Sequence, residues 1–193
     1  YAEFLLHMLF GPFASEWARR KKEYGGFGSK KGPKMVIIQG PSNNGKSTFA
    51  NWGLSLVYGD LIEPIMVHQF SGPEIETIIE NQILGKTTFP LILDDPRSTF
   101  FKSGGPYERI TKNHWDPAGH LDKIDQPNLI WLANEPKLHA WGKSRIDVIN
   151  IDIVYHNESN TNIDIINTAM AKKCDIFPYF SKLVFTAMAK LNK

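Results

Sequence analysis

The chain has 193 residues, 42% hydrophobic, 12% aromatic and 22% charged, a composition that fits one globular domain and excludes disordered, collagenous and coiled-coil classes. A single cysteine, Cys174, excludes a disulfide scaffold and a zinc site made of cysteines, and points to a reducing, intracellular setting. Net charge is +2, yet Arg19 to Lys34 holds seven basic residues and one acid, a local +6 that leaves −4 on the remainder; such a run is either a solvated linker or a phosphate-contacting segment.

Residues 1–22 have an apolar start and a basic end and predict a helix. The apolar run from Phe4 to Phe10, interrupted by His7, is too short to span a bilayer and lacks the charged lead of a signal peptide, so no membrane partner is expected. A first residue Tyr1 in place of methionine leads to the expectation of a piece of a longer protein. Gly25, Gly26, Gly28, Gly32 and Pro33 break regular structure and form the best linker. Met35-Val36-Ile37-Ile38 predicts a strand, and Ser47 to Tyr58 spaces Phe49, Trp52, Leu54 and Val57 as a helix does. Ile65 to Phe70 predicts the second strand, Pro73 to Leu84 a helix, Leu91 to Leu93 the third strand, Leu129 to Ala133 the fourth and Val148 to Tyr155 the fifth. Asn157 to Asn162 is a polar loop, and Ile163 onward is helical with a break at Pro178. Strands separated by helical patterns predict an α/β fold with a mostly parallel sheet flanked by helices. The expected organisation is an N-terminal helix and basic linker over 1–34, a core over 35–156 and a C-terminal helical segment over 157–193.

The strongest chemical signal is Gly40-Pro41-Ser42-Asn43-Asn44-Gly45-Lys46-Ser47, which fits G-x-x-x-x-G-K-[ST] between a strand and a helix. The glycines let backbone N–H groups approach phosphate oxygens, Lys46 neutralises the β- and γ-phosphates, and Ser47 offers an oxygen to Mg²⁺ at the positive end of the helix. With Thr48, residues 40–48 are the candidate ATP-binding set, and ATP with Mg²⁺ is the expected cofactor pair. Leu91-Ile92-Leu93-Asp94-Asp95 is an apolar strand ending in two acids. Asp94 can support the metal beside Ser47 and Asp95 can polarise an attacking water, or the pair can cap the turn before Pro96. Asn134 ends another apolar strand, in reach of a γ-phosphate or the lytic water unless it is an ordinary turn asparagine. Arg145 precedes the fifth strand and can stabilise transition-state charge in its own subunit or in a neighbour's site.

This order of motifs resembles the superfamily 3 helicases of small DNA viruses and plasmids, among them the replicative helicases of papillomaviruses, polyomaviruses, parvoviruses and circoviruses and the helicase parts of primase-helicases. The likeness covers Met35 to Tyr155. It rests on the short spacing from Asp95 to Asn134 and on Pro127-Asn128-Leu129-Ile130-Trp131-Leu132-Ala133-Asn134-Glu135-Pro136, similar to the family's third motif. It implies a P-loop ATPase of the AAA+ type with Asp94 and Asp95 as Walker B, Asn134 as sensor 1 and Arg145 as the finger acting on the adjacent subunit's ATP. It also implies a homo-hexameric ring that hydrolyses ATP to move on single-stranded DNA and unwind the duplex. The ring would work with other domains of a viral or plasmid replication protein in the host cytoplasm or nucleus. The family places a β-hairpin with Lys and His in the pore, and here Arg109-Ile110-Thr111-Lys112-Asn113-His114-Trp115 falls in that interval, which makes Lys112 and His114 the candidate DNA-binding residues. His120 and Lys123, nearer the third motif, are the alternative.

Two other classes use the same phosphate loop. A small-molecule kinase needs an arginine-rich lid, for which Arg19, Arg20, Arg97, Arg109 and Arg145 are few and dispersed. A packaging or assembly ATPase hydrolyses nucleotide without unwinding. His7, His68, His139 and His156 have no spaced partner and read as surface or packing residues, and Trp17, Trp52, Trp131 and Trp141 as core.

Overall fold

The computed structural model describes residues 2–25, 34–59, 65–80, 87–112, 127–136, 138–152, 164–165, 167–169, 171–172 and 176–191. In chain order these form helices α1 (Ala2–Phe10) and α2 (Ala14–Gly25), strand β1 (Met35–Gln39), α3 (Lys46–Tyr58), β2 (Ile65–Met66), α4 (Gly72–Ile78), β3 (Leu91–Asp94) and α5 (Pro106–Ile110). Then follow β4 (Leu129–Ala133), α6 (Ala140–Lys143), β5 (Ile146–Asn150) and α7 (Ile176–Leu191). The strands make one five-stranded sheet in the order β2-β3-β4-β1-β5, with every adjacent pair parallel.

Strands buried on both faces carry continuous apolar runs, because each face of a parallel sheet is covered by the crossover helices. β1 shows this: Met35 and Ile37 enter a core with Ile75, Ile110 and Trp131, while Val36 and Ile38 pack on the opposite face with Phe4, Met8 and Leu54. α4 and α5 therefore cover one side and α1 and α3 the other. Trp131, fully buried in β4, anchors the first side against Phe100 at a ring distance of 4.9 Å and against Phe101 and Tyr107. Full burial of each such side chain contributes about 1.5–3 kcal/mol. On the second side the Tyr58 hydroxyl donates to the Met8 carbonyl and ties α3 to α1.

Several expected boundaries move. Residues 2–25 are not one helix: a 3₁₀ turn at Gly11–Phe13 separates α1 from α2, since Pro12 has no N–H to continue the first helix. β2 ends at Met66, and Val67–Gln69 turn away as a 3₁₀ turn in place of the expected strand to Phe70. The helix expected over 73–84 is α4, opened by a Ser71–Glu74 capping box, and residues 81–86 lie outside the described set. The fifth strand starts at Ile146, where it pairs with Met35, two residues before the expected Val148. Pro178 does not break the C-terminal helix but sits in the first turn of α7, where a missing N–H costs no intrahelical bond. Arg109 to Lys112 is not hairpin: α5 runs through Ile110, and a wider helical turn carries Thr111 and Lys112. Trp17, expected in the core, is exposed with an edge contact to Phe10. Among the described residues no helix is long and apolar enough to cross a membrane.

Candidate functional site

β1 delivers the chain to Gly40, whose N–H donates to the Ala133 carbonyl of β4 at 3.3 Å. A Cβ at Gly40 would lie 2.0 Å from Asn44 Nδ2 and 2.2 Å from the Ile151 carbonyl oxygen, so only glycine fits where the loop leaves the sheet. The loop then reverses through two left-handed residues, Asn43 at φ 60° and Gly45 at φ 79°, conformations that asparagine and glycine tolerate best. α3 starts at Lys46 with no side-chain cap from Gly45, so the N–H groups of its first turn remain available to an anion. Ser47 and Thr48 are exposed on that turn.

The Lys46 side chain folds back over the loop, with its ammonium donating to Gly40 O at 2.9 Å, Pro41 O at 2.8 Å and Asn44 Oδ1 at 3.0 Å. Asn44 is itself buried, and its Nδ2 donates to Ile151 O at 2.6 Å, which ties the loop to the end of β5. Burial lowers the pKa of Lys46, and the charges of Asp94 and Asp95 act in the opposite direction. The two acids at the end of β3 thus lie within electrostatic reach of the ammonium at the end of β1.

β4 makes this possible, because it is inserted between β1 and β3. Its last turn of backbone serves both neighbours: Ala133 O receives Gly40 N–H, and Leu132 O receives Asp95 N–H at 3.2 Å. Asn134 is the next residue and is exposed. Lys46, Asp94, Asp95 and Asn134 therefore gather at the carboxyl ends of three adjacent parallel strands, the usual position of ligand crevices in such sheets. Asp94 is 6% exposed, whereas Asp95 faces outward on a left-handed backbone at φ 52°.

The structure separates other sequence-selected residues from this cluster. Arg145 lies at the opposite, amino-terminal end of the sheet, where its carbonyl accepts from Met35 N–H at 3.0 Å; within one chain it does not join the site. Lys112 is exposed at the far end of α5 and ion-pairs with Glu108, and Arg109 of the same helix pairs with Glu76 of α4 at 2.6 Å. His114, with the alternatives His120 and Lys123, lies outside the described residues. One neighbour of the acids has no signal in the sequence: His68 Nδ1 stands 3.6 Å from Asp95 Oδ2.

The donor set suits a nucleotide with a hard cation. Among the described residues no group of three or more His, Cys, Asp or Glu could hold a metal ion; the exposed Ser47 hydroxyl and the buried Asp94 carboxylate are hard oxygen donors of the kind that Mg²⁺ combines with phosphates and water. No protein-family model matches the chain, and no curated protein matches it. Among solved structures it is similar to one described as "SCCmec type IV Cch - active helicase", at a TM-score of 0.61 and 18% identity over 96% of this chain and 35% of that one. The chain thus spans about a third of that protein's length, and the likeness shows a shared α/β fold.

Proposed function

We propose that this chain is the ATP-hydrolysing motor of a DNA helicase of the superfamily 3 type, from a viral or plasmid replication protein, working as a homo-hexameric ring on single-stranded DNA. The observation that carries the reading is the convergence of the phosphate loop, the Asp94–Asp95 pair and the end of β4 at one sheet edge, with Lys46 under the influence of both acids. The fold shared with a protein described as a helicase supports the motor class.

In this reading the N–H groups of the loop and of α3 bind the phosphates, and Lys46 exchanges a loop carbonyl for a phosphate oxygen. Ser47 and Asp94 would hold Mg²⁺, and the cation would supply neutralisation of phosphate charge. Asp95 accepts the proton of the attacking water, and Asn134 hydrogen-bonds the γ-phosphate from the end of β4. Arg145 sits too far from its own loop to act there, so its role is in the neighbouring subunit's site. Lys112 and His114 contact the DNA backbone, with Lys112 exchanging Glu108 for a phosphate.

The test is ATP turnover with and without single-stranded DNA. The expected result is stimulation by DNA in the unaltered chain and a loss of about a hundredfold or more in Lys46→Ala. Normal turnover in Lys46→Ala overturns the reading. Turnover indifferent to DNA transfers the site to a kinase if a small metabolite is phosphorylated, and to an assembly ATPase if none is.

A further inference from the structure

The register of β2 on β3 pairs Ile65 with Leu93 and Met66 with Asp94, so the Val67–Gln69 turn and Asp95 leave the sheet side by side. His68 Nδ1 lies 3.6 Å from Asp95 Oδ2. That nitrogen is buried and has no hydrogen-bond partner among the described residues. Arg97, two residues beyond Asp95, donates from Nη2 to the His68 carbonyl at 3.1 Å. The loop that carries Asp95 therefore grips the turn that carries His68. Asp95 itself has a positive φ, a conformation that a non-glycine residue keeps only when its surroundings hold it. Buried polar atoms are nearly always bonded, and hydrogen bonds within catalytic groups are often long until substrate is in place. An orphaned ring nitrogen a few tenths of an ångström beyond bonding distance from a carboxylate fits that pattern.

We propose that His68 is the positioning residue of the hydrolytic carboxylate: with nucleotide bound, its Nδ1–H donates to Asp95 Oδ2 and turns Oδ1 toward the attacking water. The proposal rests on the reading of Asp95 as the general base. In the step it serves, the water oxygen bonds to the γ-phosphorus and the water proton passes to Asp95 Oδ1. The bond from that phosphorus to the β–γ bridging oxygen breaks, its electron pair leaving with ADP. His68 touches none of the reacting atoms. Its effect is to fix which carboxylate oxygen faces them, and Arg97 holds the turn at the distance that allows it.

Steady-state turnover and binding of a non-hydrolysable ATP analogue, measured on the full chain as unaltered protein, His68→Ala, His68→Asn and Asp95→Asn, test this. Asparagine places an N–H donor near the position of Nδ1. His68→Ala is expected to lose roughly tenfold to a hundredfold in kcat, with KM for ATP and analogue affinity unchanged, and His68→Asn to recover most of the loss. A structural role alone would move binding with turnover and would not be rescued by asparagine. Unchanged kcat in His68→Ala, or equal loss in both His68 variants, overturns the positioning role while a dead Asp95→Asn keeps Asp95 as base. Wild-type turnover in Asp95→Asn overturns both assignments.

Discussion

At Gly40 one added methyl group meets two atoms that cannot both give way: the amide of Asn44 and the carbonyl of Ile151, which are already bonded to each other at 2.6 Å. Gly40→Ala is therefore expected to cost about 1–3 kcal/mol of stability, as overpacking does, and to weaken ATP-analogue binding because the same Asn44 accepts from Lys46. Thermal unfolding and analogue titration check this, with exposed Lys102→Ala, outside the site, as the unaffected comparison. The loop over 40–47 and the Asp94–Asp95 pair could be picked out together as candidates because each is contiguous in sequence and follows its own apolar strand, and the fold brings the ends of those strands to one edge. His68 was not, since its meeting with Asp95 depends on strand register between segments that say nothing of each other locally. Trp17 misled in the opposite sense: aromatic character predicts burial only on average, and this ring lies on the outward side of α2.

The elements differ in how much of themselves they show. β1 and β4 were read almost to the residue, because burial on both faces imposes an unbroken apolar run. α5 carried its own signals, Pro106 in the first turn and Glu108 four residues before Lys112, which resemblance to a hairpin overrode. β2 is short because His68 and Gln69 leave the ladder for the turn beside Asp95. α1 makes a contribution that varies with pH. His7 is half-buried near Asp147 of β5, at 3.8 Å, where Asp147 also pairs with Lys34 at 2.6 Å. Burial depresses the His7 pKa below its ordinary 6.5, with Asp147 and Glu3 opposing. The unfolded chain then takes up the proton first as pH falls, so the stability His7 contributes is complete above 6.5 and is lost below it. Unfolding midpoints followed from neutral to mildly acidic pH should fall less steeply in His7→Gln than in the unaltered chain. Equal slopes would assign the acid sensitivity elsewhere.

For the molecule as a whole, the alternation of strand and helix signals predicted a parallel α/β sheet, and the sheet is parallel throughout. Strand order was beyond reach, because nothing local in Leu129–Ala133 says that it inserts between β1 and β3. The C-terminal helix attaches through rings: Phe13 packs on Phe177 at 6.4 Å, Phe180 at 6.1 Å and Phe185 at 5.5 Å. Phe13→Ala is expected to cost about 3 kcal/mol, a fall of roughly 6–12 °C in the unfolding midpoint for a chain of this size, and a calorimetric shift under about 2 °C would show that α7 is not held this way. The strand order also sets a timetable. β1 takes its two neighbours, β4 and β5, from the far part of the chain, so a polypeptide emerging from the ribosome must extend past Leu129 before β1 finds either of them. Until then Met35-Val36-Ile37-Ile38 is an unpaired apolar segment in a slow-forming parallel sheet, so during synthesis it waits longer for a strand partner than β3, whose neighbour β2 precedes it.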